Sequence, residues 1–253
     1  MTEINVANDY FACRQKDNFV IIEPLEKAQK IATIVDAKKE ILTILEIIRS
    51  STDINGIIIL YTDKYPGNSE YKKYLHEGLE SDMHADIGRY TVAFKSSITH
   101  FLELIRNSSI PIIAGINCEM APDDLGLILA YDLRISTEKT FFSNPNLELG
   151  FPPSTLLSFY LSRSLGPSKA TEILLTKSKL SSREALDLGL ISEIVSEEEL
   201  EGVCLKKLSK LSTIPSQALI ATRRILQPSL DEISKHLDTG LEGFLSNVYK
   251  IRS

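Results

Sequence analysis

The sequence has no run of lysine and arginine longer than a pair, and its 28 basic residues are outnumbered by 34 acidic ones, for a net charge of −6. Nucleic-acid binding needs clustered positive surface against phosphates, so no such partner is expected. Long apolar runs are also missing. Stretches such as residues 57–60 fall far short of the roughly 20 residues that cross a bilayer, so no membrane span is expected. The opening MTEINVANDYFACRQKDNFV lacks the basic start and apolar core of a secretory leader. Only three cysteines occur, Cys13, Cys118 and Cys204. An odd count without paired spacing points to reduced thiols and a cytoplasmic protein. The four histidines, His76, His84, His100 and His236, show no two-histidine spacing with a nearby third ligand, so no metal site is expected.

What is present suits a globular chain. The 253 residues, 43% hydrophobic and 25% charged, are enough for one large domain or a domain with an appendage. Leu42, Leu45 and Ile48 recur at helical spacing and predict a helix over 35–50. INGIIILYT reads as a buried strand. Residues 63–86 are polar and weakly periodic, which predicts a binding loop or mobile lid. A second helix is expected over 89–106, with Phe94, Ile98, Phe101 and Ile105 on its apolar face. PIIAGIN, the end of LGLILAYDLRIS, and Phe141-Phe142 read as strands. Residues 152–226 are mostly helical, punctuated by Gly166-Pro167 and Gly189, and a last helix is expected over 229–249. Interleaved strands and helices followed by helices alone define an α/β chain.

Residues 111–195 carry a specific likeness. PIIAGINCEMAPDDLGLILAYDLRIS resembles the core of the crotonase (enoyl-CoA hydratase/isomerase) superfamily, with Asn117 to Asp132 in register without a gap. FFSNPNLELGFPP, SLGPSKATEILLT and SSREALDLGLISEIV resemble the segments that follow, and SSTDINGIIILYT an earlier strand, so the likeness covers about residues 45–227. The resemblance implies a spiral of β-β-α turns over 1–195 and a helical C-terminal region over 196–253, shorter than usual, used for trimer packing. It implies an acyl-CoA or acyl-carrier thioester as ligand, no resident cofactor, and a homotrimer or hexamer. It also implies two backbone amides that polarise the thioester carbonyl, and acids that move protons beside it.

Set against that pattern, both family acid positions hold residues that do not titrate near neutral pH: Gly126 and Asn146. The amide-donating turn reads Pro122-Asp123-Asp124, so Asp123 takes the donor position and Pro122 contributes no N–H. The other donor is expected near Asn68–Glu70, with Ser69 as its centre. Asn68, Pro122, Gly126, Asn146 and Pro153 are the expected acyl-CoA pocket. Asp123, Asp124 and Glu148 are candidate replacement acids, although Asp124 also suits a cap on a helix starting near Leu125. Lys72, Lys73 and His76 are candidates to meet CoA phosphates or to protonate an enolate. Asp132 and Arg134 read as structural, and Cys118 as a weak nucleophile candidate. The functions in view are thioester binding with altered chemistry, a scaffold that has lost its chemistry, and a glutamate-independent decarboxylase, with plain enoyl-CoA hydratase activity ranked last because each missing acid slows water addition roughly 10²–10⁴-fold.

Overall fold

The computed structural model describes residues 4–31, 34–80 and 84–252, and within them all side chains but those of 74–94, 155, 244, 245 and 247–252. The chain opens with β1 (Asn5–Ala7), β2 (Phe11–Lys16) and β3 (Phe19–Pro24), an antiparallel meander absent from the sequence reading. Its signal is local. Lys16 pairs with Phe19 across the two-residue turn Asp17-Asn18, and Asp17 adopts φ 53°, a conformation that a short polar side chain tolerates.

There follow α1 (Val35–Ser50), β4 (Gly56–Tyr61), α2 (Gly67–Glu80), α3 (His84–Asn107), β5 (Ile112–Ile116), β6 (Glu119–Met120), α4 (Pro122–Ile128), β7 (Leu133–Thr137) and β8 (Phe141–Ser143). The rest is α5 (Thr155–Leu165), α6 (Pro167–Thr176), β9 (Lys179–Ser181), α7 (Ser182–Asp187), β10 (Glu193–Val195), α8 (Glu197–Leu211), α9 (Ser216–Leu226) and α10 (Leu230–Arg252). The main sheet runs β1-β2-β3-β4-β5-β7-β10, parallel from β3 onward, and a small sheet pairs β6, β8 and β9.

Two expectations change here. The loop or lid over 63–86 is largely helical: α2 covers Gly67–Glu80 and α3 begins at His84, five residues before the expected start. Tyr71, Tyr74, Leu75 and Leu79 recur in the sequence at helical spacing beneath the polar composition, a pattern that favours a helix over a loop. Helix α4 starts at Pro122 rather than near Leu125, because proline at the first helical position loses nothing by lacking an N–H.

Side chains alternate across β4. Ile57, Ile59 and Tyr61 join the larger core with Leu45 and Ile48 of α1 and Ile98 of α3, while Ile58 and Leu60 meet Leu200, Cys204 and Leu208 of α8. The expected division at 195/196 therefore falls between β10 and a helix packed on the sheet. Asp132 and Arg134 brace this frame. Asp132 accepts from the Ile112 N–H at 2.7 Å and from Arg223, which is 3% exposed, while Arg134 donates to the carbonyls of Leu190 and Tyr131 at 2.6 and 2.9 Å.

Candidate functional site

Helices α1, α2 and α4 all begin at the carboxyl end of the parallel strands, where crossover connections leave room for ligands. A cavity of about 180 Å3 opens beneath them. One side of α1, Lys38, Ile41, Leu42 and Leu45, forms a wall. The sheet gives Phe11, Ile22, Ile59 and Tyr61, and α3 gives Ile98 and Phe101. Asp123, Asp124 and Tyr131 line the same cavity with Tyr71 and Gln29.

Asp124 is the group with unusual chemistry. Burial raises its carboxyl, the hydrogen bond from Tyr65 pulls the other way, and the charge of Asp123 adds to the rise, leaving it at about 7. Tyr65 in turn accepts from Gln29 Nε2 at 3.0 Å, and the same nitrogen donates to the Gly67 carbonyl at 2.7 Å. Gln29 therefore fixes the hydroxyl so that its proton points to Asp124. The ring of Tyr61 stands edge-on to Tyr65 at 5.2 Å, and the Tyr61 and Tyr131 hydroxyls bond to each other. All three phenols are pushed up by burial first, so they stay protonated donors beside a carboxyl that titrates near neutrality. Sequence reasoning missed Tyr61, Tyr65, Tyr131 and Gln29. Only the Tyr-x-x-x-Tyr spacing after a strand hinted at two of them.

Asp124 is not a helix cap. It lies in the first turn of α4, whose N-cap is Ala121, and no side chain caps that end. Its neighbour Asp123 turns to Ser154, which donates to it. Burial raises the Asp123 carboxyl, and the Ser154 hydroxyl opposes that rise. The backbone N–H of Asp123, in the first turn of an uncapped helix, is left without an i−4 helical acceptor. Ser154 also caps α5 by accepting from the Leu157 N–H. Ser154→Ala removes both bonds and is expected to lower stability by about 1–2 kcal/mol in urea unfolding.

The other expected site residues sit elsewhere. Gly126 is buried against α5: a Cβ there would lie 2.5 Å from the Leu157 nitrogen and 2.7 Å from the Leu156 carbonyl carbon. Asn146 is 3% exposed; it donates to the Pro152 carbonyl at 3.0 Å and accepts from Tyr71 at 3.2 Å. It thus closes the 146–152 turn behind Tyr71. Pro122 is buried, Pro153 half-buried and Glu148 exposed, and none of these lines the cavity among the described residues. Ser69 is exposed and bonds the Pro66 carbonyl, while Asn68 is half-buried with its Oδ1 unpartnered. Gly67, at φ 58°, brings this turn onto β6, where a Cβ would meet the Glu119 carbonyl oxygen at 2.4 Å. Lys73 pairs with Glu70, Lys72 is half-buried, and the His76 side chain lies outside the described residues. Burial pushes the Cys118 thiol up, which leaves little nucleophilic thiolate.

Comparison with known proteins gives this arrangement a setting. The model of the enoyl-CoA hydratase/isomerase family matches residues 36–244. A probable enoyl-CoA hydratase of Mycobacterium tuberculosis is 30% identical over 161 residues, which is 62% of this chain and 56% of that protein. Enoyl-CoA hydratase domain-containing protein 3, mitochondrial, of Mus musculus is 28% identical over 212 residues, 82% of this chain and 66% of that one. The chain thus spans between about half and two thirds of these curated relatives. Among solved structures, an enoyl-CoA hydratase from Bacillus halodurans superposes with a TM-score of 0.78 at 21% identity, covering 94% of this chain and 95% of that chain. A probable enoyl-CoA hydratase from Mycobacterium thermoresistibile superposes with a TM-score of 0.75 at 19% identity, covering 96% and 100%. The architecture is accordingly the crotonase-like one, and no helix among the described residues is long and apolar enough to cross a membrane.

Proposed function

The chain belongs to the enoyl-CoA hydratase/isomerase family, and from that premise we propose that it binds an acyl thioester, on CoA or a carrier protein, and moves a proton beside the carbonyl with Asp124. The observation that carries this reading is Asp124 in the wall of an apolar cavity, hydrogen-bonded by Tyr65 and with its carboxyl at about 7. A general base works best when its pKa lies near the working pH. The family's own acid positions offer no competitor, because Gly126 has no side chain and Asn146 is held by Tyr71 and Pro152.

One carboxyl suits double-bond migration better than hydration. In migration the ionised Asp124 takes a proton from one carbon, the electron pair moves toward the carbonyl oxygen, and the same proton returns at another carbon. Hydration also needs a held water, which an apolar wall does not favour. Loss of a substrate carboxylate fits less well, since that charge would face Asp123 and Asp124. The N–H of Asp123 is the proposed donor to the carbonyl oxygen. Assembly of several copies belongs to the same proposal; Ile225 and Leu226 of α9, 80% and 71% exposed, are apolar surface available for it.

Incubation with 3-enoyl-CoA and 2-enoyl-CoA, followed by chromatography of the products, tests the reading. Interconversion of the two is the expected result. Binding by calorimetry without conversion would favour a scaffold that has kept the fold alone, a reading supported by the closure of α5 on Gly126.

A further inference from the structure

The cavity has a direction. Lys38, Ile41, Leu42 and Leu45 follow the three- and four-residue spacing of one helix face, so the wall descends about 10 Å along α1 from its first turn. Asp124 and the tyrosines stand at the upper end with Lys38, where the parallel strands finish. Lower down the lining is Leu45, Ile59 and Phe101. A second void, of about 30 Å3, lies against these same three residues and continues to Ile48, Ile57, Leu104, Ile105 and Ile112. Leu45, Ile59 and Phe101 are therefore a partition: the floor of the large cavity and the ceiling of the small one.

Taking the cavity as the seat of the acyl tail, we propose that Phe101, with Leu45 and Ile59, sets the tail length the protein accepts. This rests on the thioester reading above and names its substrate class. The lining below Asp124 is mostly aliphatic or aromatic, with Ser97, one turn before Phe101 on α3, as its polar exception, so it rewards methylene groups. An apolar cavity of roughly 150 Å3 holds a benzene molecule, so 180 Å3 takes a folded tail of roughly six to eight carbons. Phe101 is the movable part of the partition, because it is half-buried on α3 whereas Ile59 is held within the sheet. Truncating it joins the two voids and lengthens the accepted chain.

The test is calorimetric binding of saturated acyl-CoAs from four to fourteen carbons, with a parallel thermal-shift series of 1-alkanols that carry neither thioester nor nucleotide. Each added methylene is expected to tighten acyl-CoA binding about fourfold until the cavity fills, and then to add nothing. Phe101→Leu is expected to move that break to longer chains by two carbons or more. Leu42→Phe, which adds bulk at a half-buried position, is expected to move it to shorter ones, so the claim does not depend on one variant folding. Acyl-CoA affinity that ignores chain length, or a break unmoved in both variants, overturns the tail assignment while leaving thioester binding intact. Alkanols that stabilise the protein with the same length break, beside acyl-CoAs that do not bind at any length, overturn the thioester reading instead and leave Phe101 as the floor.

Discussion

Replacing Asp124 with asparagine is expected to cut turnover by roughly 10²–10⁴-fold while leaving acyl-thioester binding within a few-fold, because only the proton-transferring group is lost. Asparagine keeps the shape and still accepts from Tyr65, so a fall in rate without a fall in affinity reports chemistry rather than folding. In the unaltered protein the rate should climb as pH rises through about 7, where Asp124 ionises. Tyr65→Phe removes the bond that lowers the carboxyl, and should move that limb to higher pH. A profile that stays put in the phenylalanine variant would count against Asp124 as the titrating group.

The same substitution has an opposite effect on stability. The folded Asp124 holds its proton up to about 7, against an ordinary carboxyl value of 3.8. Between those limits the unfolded chain has lost a proton that the folded chain keeps, so Asp124 makes the protein less stable as pH rises through that window. At 1.36 kcal/mol per unit the effect is bounded at about 4 kcal/mol, and access of water to the cavity reduces it. Asp124→Asn should thus unfold at a higher temperature than the parent at pH 8 and at a similar one at pH 4. Scanning calorimetry at the two values checks the sign. An inactive variant that is also the more stable one is the pattern of a site kept under electrostatic strain for function.

Gly126→Ala is expected to cost about 3 kcal/mol or more, although it adds one methyl group. The new Cβ would sit 2.5 and 2.7 Å from backbone atoms of Leu157 and Leu156. Backbone of a helix cannot turn aside as a side-chain end can, so α4 and α5 must separate. A glutamate placed at this position should prevent soluble folding, since a charged side chain would be forced into the same interface. Urea unfolding of the alanine variant is the direct measurement. A loss below about 1 kcal/mol would mean that α5 shifts freely, and that this position is open to a side chain.

Much of the fold was legible from local pattern. Leu42, Leu45 and Ile48 announced α1, the isoleucine run announced β4, PIIAGIN announced β5, and the end of LGLILAYDLRIS announced β7. The meander over 5–24 escaped because its strands are short and its turn residues are Asp17-Asn18 rather than a glycine pair. Helix α2 escaped because lysine and glutamate hide a stripe of tyrosine and leucine. Within the site, Asp123 and Asp124 were visible as candidates, but their partners Ser154 and Tyr65 were not. Tyr65 and Asp124 are 59 positions apart, and Asp123 and Ser154 are 31 apart. No spacing rule connects residues at those separations.

Sequence alone determined the family, the order of the core elements, and the absence of a titratable side chain at Gly126 and Asn146. These follow from residue identity in register, and packing cannot alter them. The tertiary structure decided which carboxyl titrates near neutrality and which positions are sealed. A pKa belongs to a group's surroundings, and Asp124 acquires its value from burial, the Tyr65 hydroxyl and the neighbouring Asp123 charge. A glycine likewise becomes indispensable only when another backbone approaches it, as α5 approaches Gly126.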